Sequence, residues 1–209
     1  MDKEINNNGF DYIDLELPSG TLWATCNVGA NKPSDYGLYF QWGDTSGYTK
    51  DQVGYSEGKK KFSWTDCKWR LSGDSWNNIA FTKYKTKGAK LELKDDAANA
   101  NIGGDWHIPT PTQIQELIDY TESTWTTQDD VYGRLFTSKK DASKSIFIPA
   151  AGYAWNGSVK LVGSEADVWA STLNTDSVDS GQFLGFYSGS VYLSYGRRYG
   201  GFSVRGVIG

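Results

Sequence analysis

The residues with the most chemistry to offer lie in the last quarter of the 209-residue chain, between Phe186 and Val207, read FYSGSVYLSYGRRYGGFSVRGV. Tyr187, Tyr192, Ser194, Tyr195, Arg197 and Tyr199 supply rigid aromatic area, adaptable hydroxyls and a charged fork. These are the side chains that binding surfaces use. Trp169 and the 172–183 loop would add to such a surface, because an indole stacks on sugar faces or fills a pocket at little entropic cost. Arg197 can form paired hydrogen bonds with a carboxylate or phosphate. The same composition also suits an ordinary strand pair with solvated polar residues.

Catalytic chemistry has fewer candidates. His107 is the only histidine, and no sequence neighbour offers it a Ser-His-Asp or Cys-His partnership, so it reads as a packing residue. Glu116 and Asp119 read as helix surface and Asp95-Asp96 as a helix start. A carboxylate-dependent glycosidase remains a third option, since two carboxylates distant in sequence can converge. Gly103-Gly104 and Gly196 to Gly201 lack the strand–Gly–helix context and the lysine of a phosphate loop. Cys26 and Cys67 are the only cysteines. Their separation excludes a zinc site by spacing and leaves a disulfide or two reduced thiols open. Asp176 and Asp179 could hold a calcium ion, but no ligand pattern supports one. The expectation is therefore a protein without enzymatic activity or cofactor.

The totals set the frame. Net charge is −4 and the pI about 5.0. The one lysine run, Lys59-Lys60-Lys61, reads as a solvated loop, so no nucleic acid is expected. No apolar run is long enough for a transmembrane helix, and no membrane insertion is expected. The start MDKEINNNGFDYIDL lacks the apolar core of a signal peptide, which suggests either use without Sec export or a trimmed signal. Aromatic residues make up 15% of the chain, with 24 Gly and one Met, which fits a loop-rich protein better than a helical bundle.

The elements that must position these residues follow from period and punctuation. Tyr12 to Leu17 and Thr21 to Cys26 alternate around Pro18-Ser19-Gly20, a hairpin signal. Residues 45 to 90 show no clean period and read as irregular, pinned by Trp64, Trp69 and Trp76. A short helix fits Asp95 to Asn101, ended by Gly103-Gly104. The clearest helix runs from Pro111 to about Tyr120, with Thr110 as N-cap and Gln113 at capping-box spacing. Ser123 to Tyr132 reads as turn. Short strands follow at Gly133 to Ser138, Ser145 to Tyr153, Ser158 to Val162, Val168 to Ser171 and Gly181 to Phe186. A final hairpin would pair the strand around Val191 and Leu193 with Phe202 to Val207, turning at Tyr195 to Gly201. Tyr192 and Ser194 would point outward. This is an α+β layout with short helices, several short antiparallel strands and long irregular loops. Residues 1–11, with Asn6-Asn7-Asn8, read as a flexible arm, and 12–209 as a single domain.

Five ordered motifs carry a resemblance. They are Leu17 to Ala30 (LPSGTLWATCNVGA), Tyr39 to Gly43 (YFQWG), Gly104 to Thr110 (GDWHIPT), Pro149 to Tyr153 (PAAGY) and Gly201 to Arg205 (GFSVR). Together they resemble the Fibrobacter succinogenes major paralogous domain, abundant in Bacteroidetes, Bacteroides among them, and in their phages. The resemblance covers about Tyr12 to Val207. It implies a C-type-lectin-like fold of the formylglycine-generating-enzyme variety, shared with variable proteins of diversity-generating retroelements and with phage receptor-binding proteins. It further implies that Trp106, Arg198, Gly201, Ser203, Val204 and Arg205 are framework. Tyr192, Ser194, Tyr195, Gly196, Arg197, Tyr199 and Gly200 would be exposed positions free to vary.

The departures also matter. His107 stands where that family more often has Arg. Gly206 stands where Pro is common. The calcium-and-sugar motif of calcium-dependent lectins is absent, and so is the late cysteine pair of the formylglycine-generating enzymes. The resemblance therefore implies an adhesin or receptor-binding protein, such as a phage fibre tip. It would act at a virion or cell surface on a host-surface glycan or protein, as a homotrimer or with other virion subunits. The alternative is a structural or decoration protein that uses the fold for assembly.

Overall fold

The computed structural model describes residues 6–56 and 59–209. It is predominantly β, built from short antiparallel strands and a few short helices. The chain opens with β1 (Tyr12–Asp14) and β2 (Leu22–Asn27), paired antiparallel as the sequence signals. Among the described residues, 45–90 hold four short strands, β3 (Tyr55–Ser56), β4 (Lys59–Lys60), β5 (Arg70–Ser72) and β6 (Ala80–Phe81), and single 3-10 turns at Lys50–Gln52 and Trp64–Asp66.

Two helices follow. In α1 (Ala97–Ile102), Asp96 caps by accepting from the Ala98 and Asn99 amides at 2.9 and 3.1 Å, and Gly103 stops the helix at φ +84°. In α2 (Pro111–Tyr120), the expected capping box forms. Gln113 N donates to Thr110 Oγ1 at 3.2 Å, and Thr110 N donates to Gln113 Oε1 at 2.9 Å. Ile114 and Leu117 on α2 are fully buried.

The second half is three antiparallel units. One joins β7 (Thr121–Gln128), β8 (Val131–Ser138) and β9 (Ser145–Pro149). A hairpin pairs β10 (Tyr153–Trp155) with β11 (Ser158–Lys160). The third sheet runs β12 (Glu165–Leu173), β13 (Ser180–Tyr187), β14 (Ser190–Arg197). The last strand, β15 (Arg205–Ile208), returns to pair with β2, bringing the two ends of the chain together.

Two sequence expectations are corrected here. Ser123 to Tyr132 is not a turn. Thr121–Gln128 pairs residue for residue with β8, and only Asp129-Asp130, both at positive φ, make the turn. Threonine-rich polar segments are good strands when a partner is present. The final hairpin also does not form as read. The partner of β14 is β13, joined at Tyr187 to Ser190, while residues 198–204 leave the sheet and cross to β2. That crossing makes bridges from Gly201 to Ala154, Phe202 to Phe40 and Ser203 to Val168. Both candidate partners adjoin β14 in sequence, and the Gly-rich stretch Tyr195 to Gly201 resembles a hairpin turn, while the true turn is the two residues between Tyr187 and Ser190.

Residues 6–10, read as part of a flexible arm, are tied down. Trp106 Nε1 donates to Asn7 O at 2.8 Å, Asp105 N donates to Asn6 O at 2.9 Å, and Phe10 packs edge-on against Trp106 at 5.7 Å. Residues 1–5 of that arm lie outside the described residues.

Two apolar clusters sandwich the third sheet. Ala166, Val168 and Ala170 of β12 pack with α2 and Phe136. Trp169 and Leu173, on the opposite face, pack with Phe40, Trp42 and Phe202. Two indoles link this core to neighbouring backbone: Trp169 Nε1 donates to Phe40 O at 2.7 Å, and Trp42 Nε1 to Ala170 O at 3.0 Å.

Candidate ligand-binding site

The end of β14 and the crossing segment frame two hollows that meet at one ridge. The larger is a cavity of about 750 Å³. Tyr195, Gly196 and Arg197 form one wall, Tyr153 and Trp155 of the β10–β11 hairpin another, and Phe183, Phe202 and Asp167 also line it. The smaller, about 450 Å³, lies between Trp64, Trp76, Trp155, Arg197 and Tyr199. Trp155 and Arg197 line both.

Arg197 is positioned from two sides. It is ion-paired with Asp179 of the β12–β13 loop, and its guanidinium lies 5.0 Å from the Trp76 ring centre. Asp179 also accepts from Ser180 Oγ at 2.9 Å and from Ser177 Oγ. Asp179 of this loop thus orients an arginine. Among the described residues, no three His, Cys, Asp or Glu side chains converge as a cation site.

The expected site residues separate by exposure. Tyr195 is 63% exposed at the cavity rim, and Tyr187 is 45% exposed at the β13–β14 turn. Tyr192 and Ser194, expected outward, are half-buried: Tyr192 packs over Gly185 and against the Trp169 cluster. Gly196 also packs closely, since a Cβ there would stand 2.9 Å from Phe202.

Trp169 and Tyr199 are corrections. Trp169 has no exposed surface and stacks on Phe202 at 4.0 Å, so it is core. It was misread because β12 is buried on both faces, which removes the alternation that would mark an inner indole. Tyr199 is 3% exposed, set against Trp155 at 4.8 Å as wall of the smaller hollow, and Gly200 behind it is buried. Neither Tyr199 nor Gly200 is an open position.

The residues expected as framework are all buried. Arg205 has no acidic partner among the described residues and instead donates to Asn27 Oδ1 (3.0 Å), Ala24 O (2.9 Å) and Phe147 O (3.0 Å), riveting β15 to β2 and β9. Arg198 donates to the carbonyls of Tyr84 (3.3 Å), Val178 (3.2 Å) and Lys83 (3.3 Å), and lies 4.0 Å over Phe81. Burial pulls both guanidinium groups down to about 10. A Cβ on Gly201 would come within 2.5 Å of Phe62 and 2.8 Å of Ala154, which is why the crossing needs glycine there. Ser203 exchanges backbone hydrogen bonds with β12, its N donating to Asp167 O and its O accepting from Trp169 N, both at 3.0 Å.

His107 accompanies the last strand, its Nε2 3.1 Å from Gly209 O, and its Nδ1 is buried without a partner. Asp96, the nearby acid, spends its oxygens on the backbone amides of Ala98, Asn99 and Ile108. Cys26 and Cys67 are both buried free thiols, and burial pushes Cys67 up to about 12.

Sequence reading missed two residues. Arg134 is buried and clamps the β13–β14 turn, donating to Tyr187 O at 3.0 Å through Nη2 and to Ser123 Oγ at 2.9 Å through Nη1. Asp167 is buried between Ala166 and Val168. Burial, then the nearby Glu165, push its carboxyl up to about 8. A lone acid inside an apolar strand is the signal that could have found it.

No helix among the described residues is long and apolar enough to cross a membrane. Comparison with protein-family models, curated proteins and solved structures finds no match.

Proposed function

We propose that this chain is a non-enzymatic ligand-binding protein, an adhesin or receptor-binding protein of a virion or cell surface, and that the Tyr195–Arg197 wall meets a host-surface glycan or protein. One observation carries the reading. An open cavity of about 750 Å³ is lined by several aromatic rings and a few placed polar groups, at the segment whose composition already suggests binding. Rings supply stacking area and the Arg197–Asp179 pair supplies oriented donors and acceptors.

The C-type-lectin-like fold, with the resemblance behind it, belongs to this proposal. It is supported by the way buried Arg198, Gly201, Ser203 and Arg205 separate from exposed Tyr195. A phage origin, a trimeric assembly and variation at the exposed positions rest on the resemblance alone.

The test is binding of the purified protein to host cells and to a glycan array, beside a Tyr195→Ala/Arg197→Ala variant whose melting is unchanged. Loss of binding in the folded variant is expected. Equal binding by both proteins would move the site elsewhere. Absence of binding by wild type, with Tyr195 and Tyr187 occluded in an assembled particle, would favour the structural reading.

A further inference from the structure

One group in the cavity has no answering group among the described residues. Asp167 is 5% exposed, its Oδ1 is buried with no hydrogen-bond partner, and its side chain lines the larger cavity. Glu165, two residues earlier on β12, shares its face. Among the described residues, no Lys or Arg nitrogen comes within ion-pair distance of either carboxyl.

The groups around Asp167 are identifiable on every side. Tyr153 of β10 and Tyr192 of β14 lie near enough that, after burial, the charges of Glu165 and Asp167 raise both phenols. Ser203 Oγ, in the crossing segment paired to β12, is also buried without a partner. Lys160 of β11 lines the cavity from an exposed position, and Arg197 is held by Asp179. The remaining walls are the rings of Tyr153, Trp155, Phe183, Tyr195 and Phe202, with Ser177, Asp179, Ser180 and Gly196.

We propose that this cavity binds an organic ammonium group, seated against Asp167, with Glu165 next along the same strand face, and faced by the surrounding aromatic rings. The proposal rests on the ligand-binding reading above and gives the chemical class of the ligand. Ring faces attract cations through their quadrupole, and a desolvated carboxylate is the strongest partner an ammonium can meet. In the empty cavity Asp167 is held protonated at neutral pH by burial and by Glu165. An ammonium reverses that preference. The carboxyl gives up its proton to solvent, the carboxylate pairs with the cation, and one proton is released per ligand bound. A neutral hydroxyl ligand would instead accept a hydrogen bond from the acid and release no proton.

The test is isothermal titration calorimetry on the full chain with choline, glucosamine and Nα-acetyl-lysine methylamide. Their neutral counterparts are 3,3-dimethylbutan-1-ol, N-acetylglucosamine and the Nε-acetylated lysine derivative. The three cations separate a lipid-type headgroup, an amino sugar and a protein lysine as sources. At least one cation should saturate, with its neutral counterpart at least about tenfold weaker. Its affinity should rise by up to about tenfold per pH unit below the Asp167 midpoint. Buffers of different ionisation heat should report the released proton. Asp167→Asn should abolish the preference for cation over neutral counterpart, and Glu165→Gln, in a half-buried position more tolerant of change, should reduce it.

Equal affinity for neutral counterparts, affinity that falls with pH, or no cation binding up to about 50 mM would overturn the proposal. If the cations fail while wild type still binds host cells and Tyr195→Ala/Arg197→Ala does not, the ligand-binding reading stands and only the ammonium assignment falls.

Discussion

Asp167→Asn should change how stability depends on pH. The carboxyl is buried beside Glu165, and its midpoint moves from 3.8 in the unfolded chain to about 8 in the fold. A raised acid midpoint means that the folded state binds the proton more tightly than the unfolded state. The stability linked to Asp167 is therefore fully present below about pH 4 and is lost as pH rises through about 8. At about 1.4 kcal/mol per pH unit, the interval sets a ceiling of about 6 kcal/mol. About three of those pH units lie above pH 5, so up to about 4 kcal/mol of the loss falls between pH 5 and pH 9. Asparagine keeps the shape and cannot ionise. Urea unfolding followed by tryptophan fluorescence at pH 5, 7 and 9 gives the difference between wild type and variant, in which other titrations cancel. The variant should gain on wild type by about 2–4 kcal/mol between pH 5 and pH 9. A difference that stays within about 0.5 kcal/mol across that range would refute the claim that the cavity holds Asp167 protonated, since an ordinary acid is fully ionised throughout.

Three further outcomes follow from the buried framework. Arg205→Met removes a guanidinium with no acidic partner but orphans the carbonyls of Ala24 and Phe147, so a loss of about 2–4 kcal/mol in urea unfolding is expected. Gly201→Ala should cost about 1–3 kcal/mol, because its Cβ would meet Phe62 at 2.5 Å; a neutral result would show that the crossing segment can shift. Cys67 is buried with its thiol pushed up to about 12, so Ellman's reagent should react with neither cysteine until the chain is unfolded.

What the sequence made legible was local. The Thr110/Gln113 capping box and the Asp96 start fix both helices within a few residues, because a cap involves only its own turn. Most strands were also readable, β7 being the exception, but pairing was not. The alternation around Val191 and Leu193 marks a strand without saying whether β13 or the segment after Gly201 lies beside it. The candidate site divides in the same way. Tyr195 and Arg197 could be named from residue type, since nothing long-range decides that a Tyr-Gly-Arg segment is polar. Asp167 offered only the hint of an acid between Ala166 and Val168, because its setting comes from Tyr153 of β10 and Phe202 of the crossing segment, which line the same cavity. Trp169 and Tyr199 were placed on the surface because an indole or phenol looks the same in a core and in a binding wall.

The crossing segment shows how one stretch both displays and anchors. Between Arg197 and Arg205 the chain leaves the third sheet and reaches β2, and at each end stands an arginine whose hydrogen bonds go to backbone carbonyls. Arg198 anchors the exit and Arg205 the arrival, so the neighbouring Arg197 side chain can be exchanged without disturbing either anchor. Tyr195 is exposed and contributes little to the core. Asp167 sits beneath this segment, its carbonyl bound to Ser203 N at 3.0 Å. The rim residue is thus exposed, while the acid at the base of the same cavity is buried and without a hydrogen-bond partner at Oδ1 among the described residues.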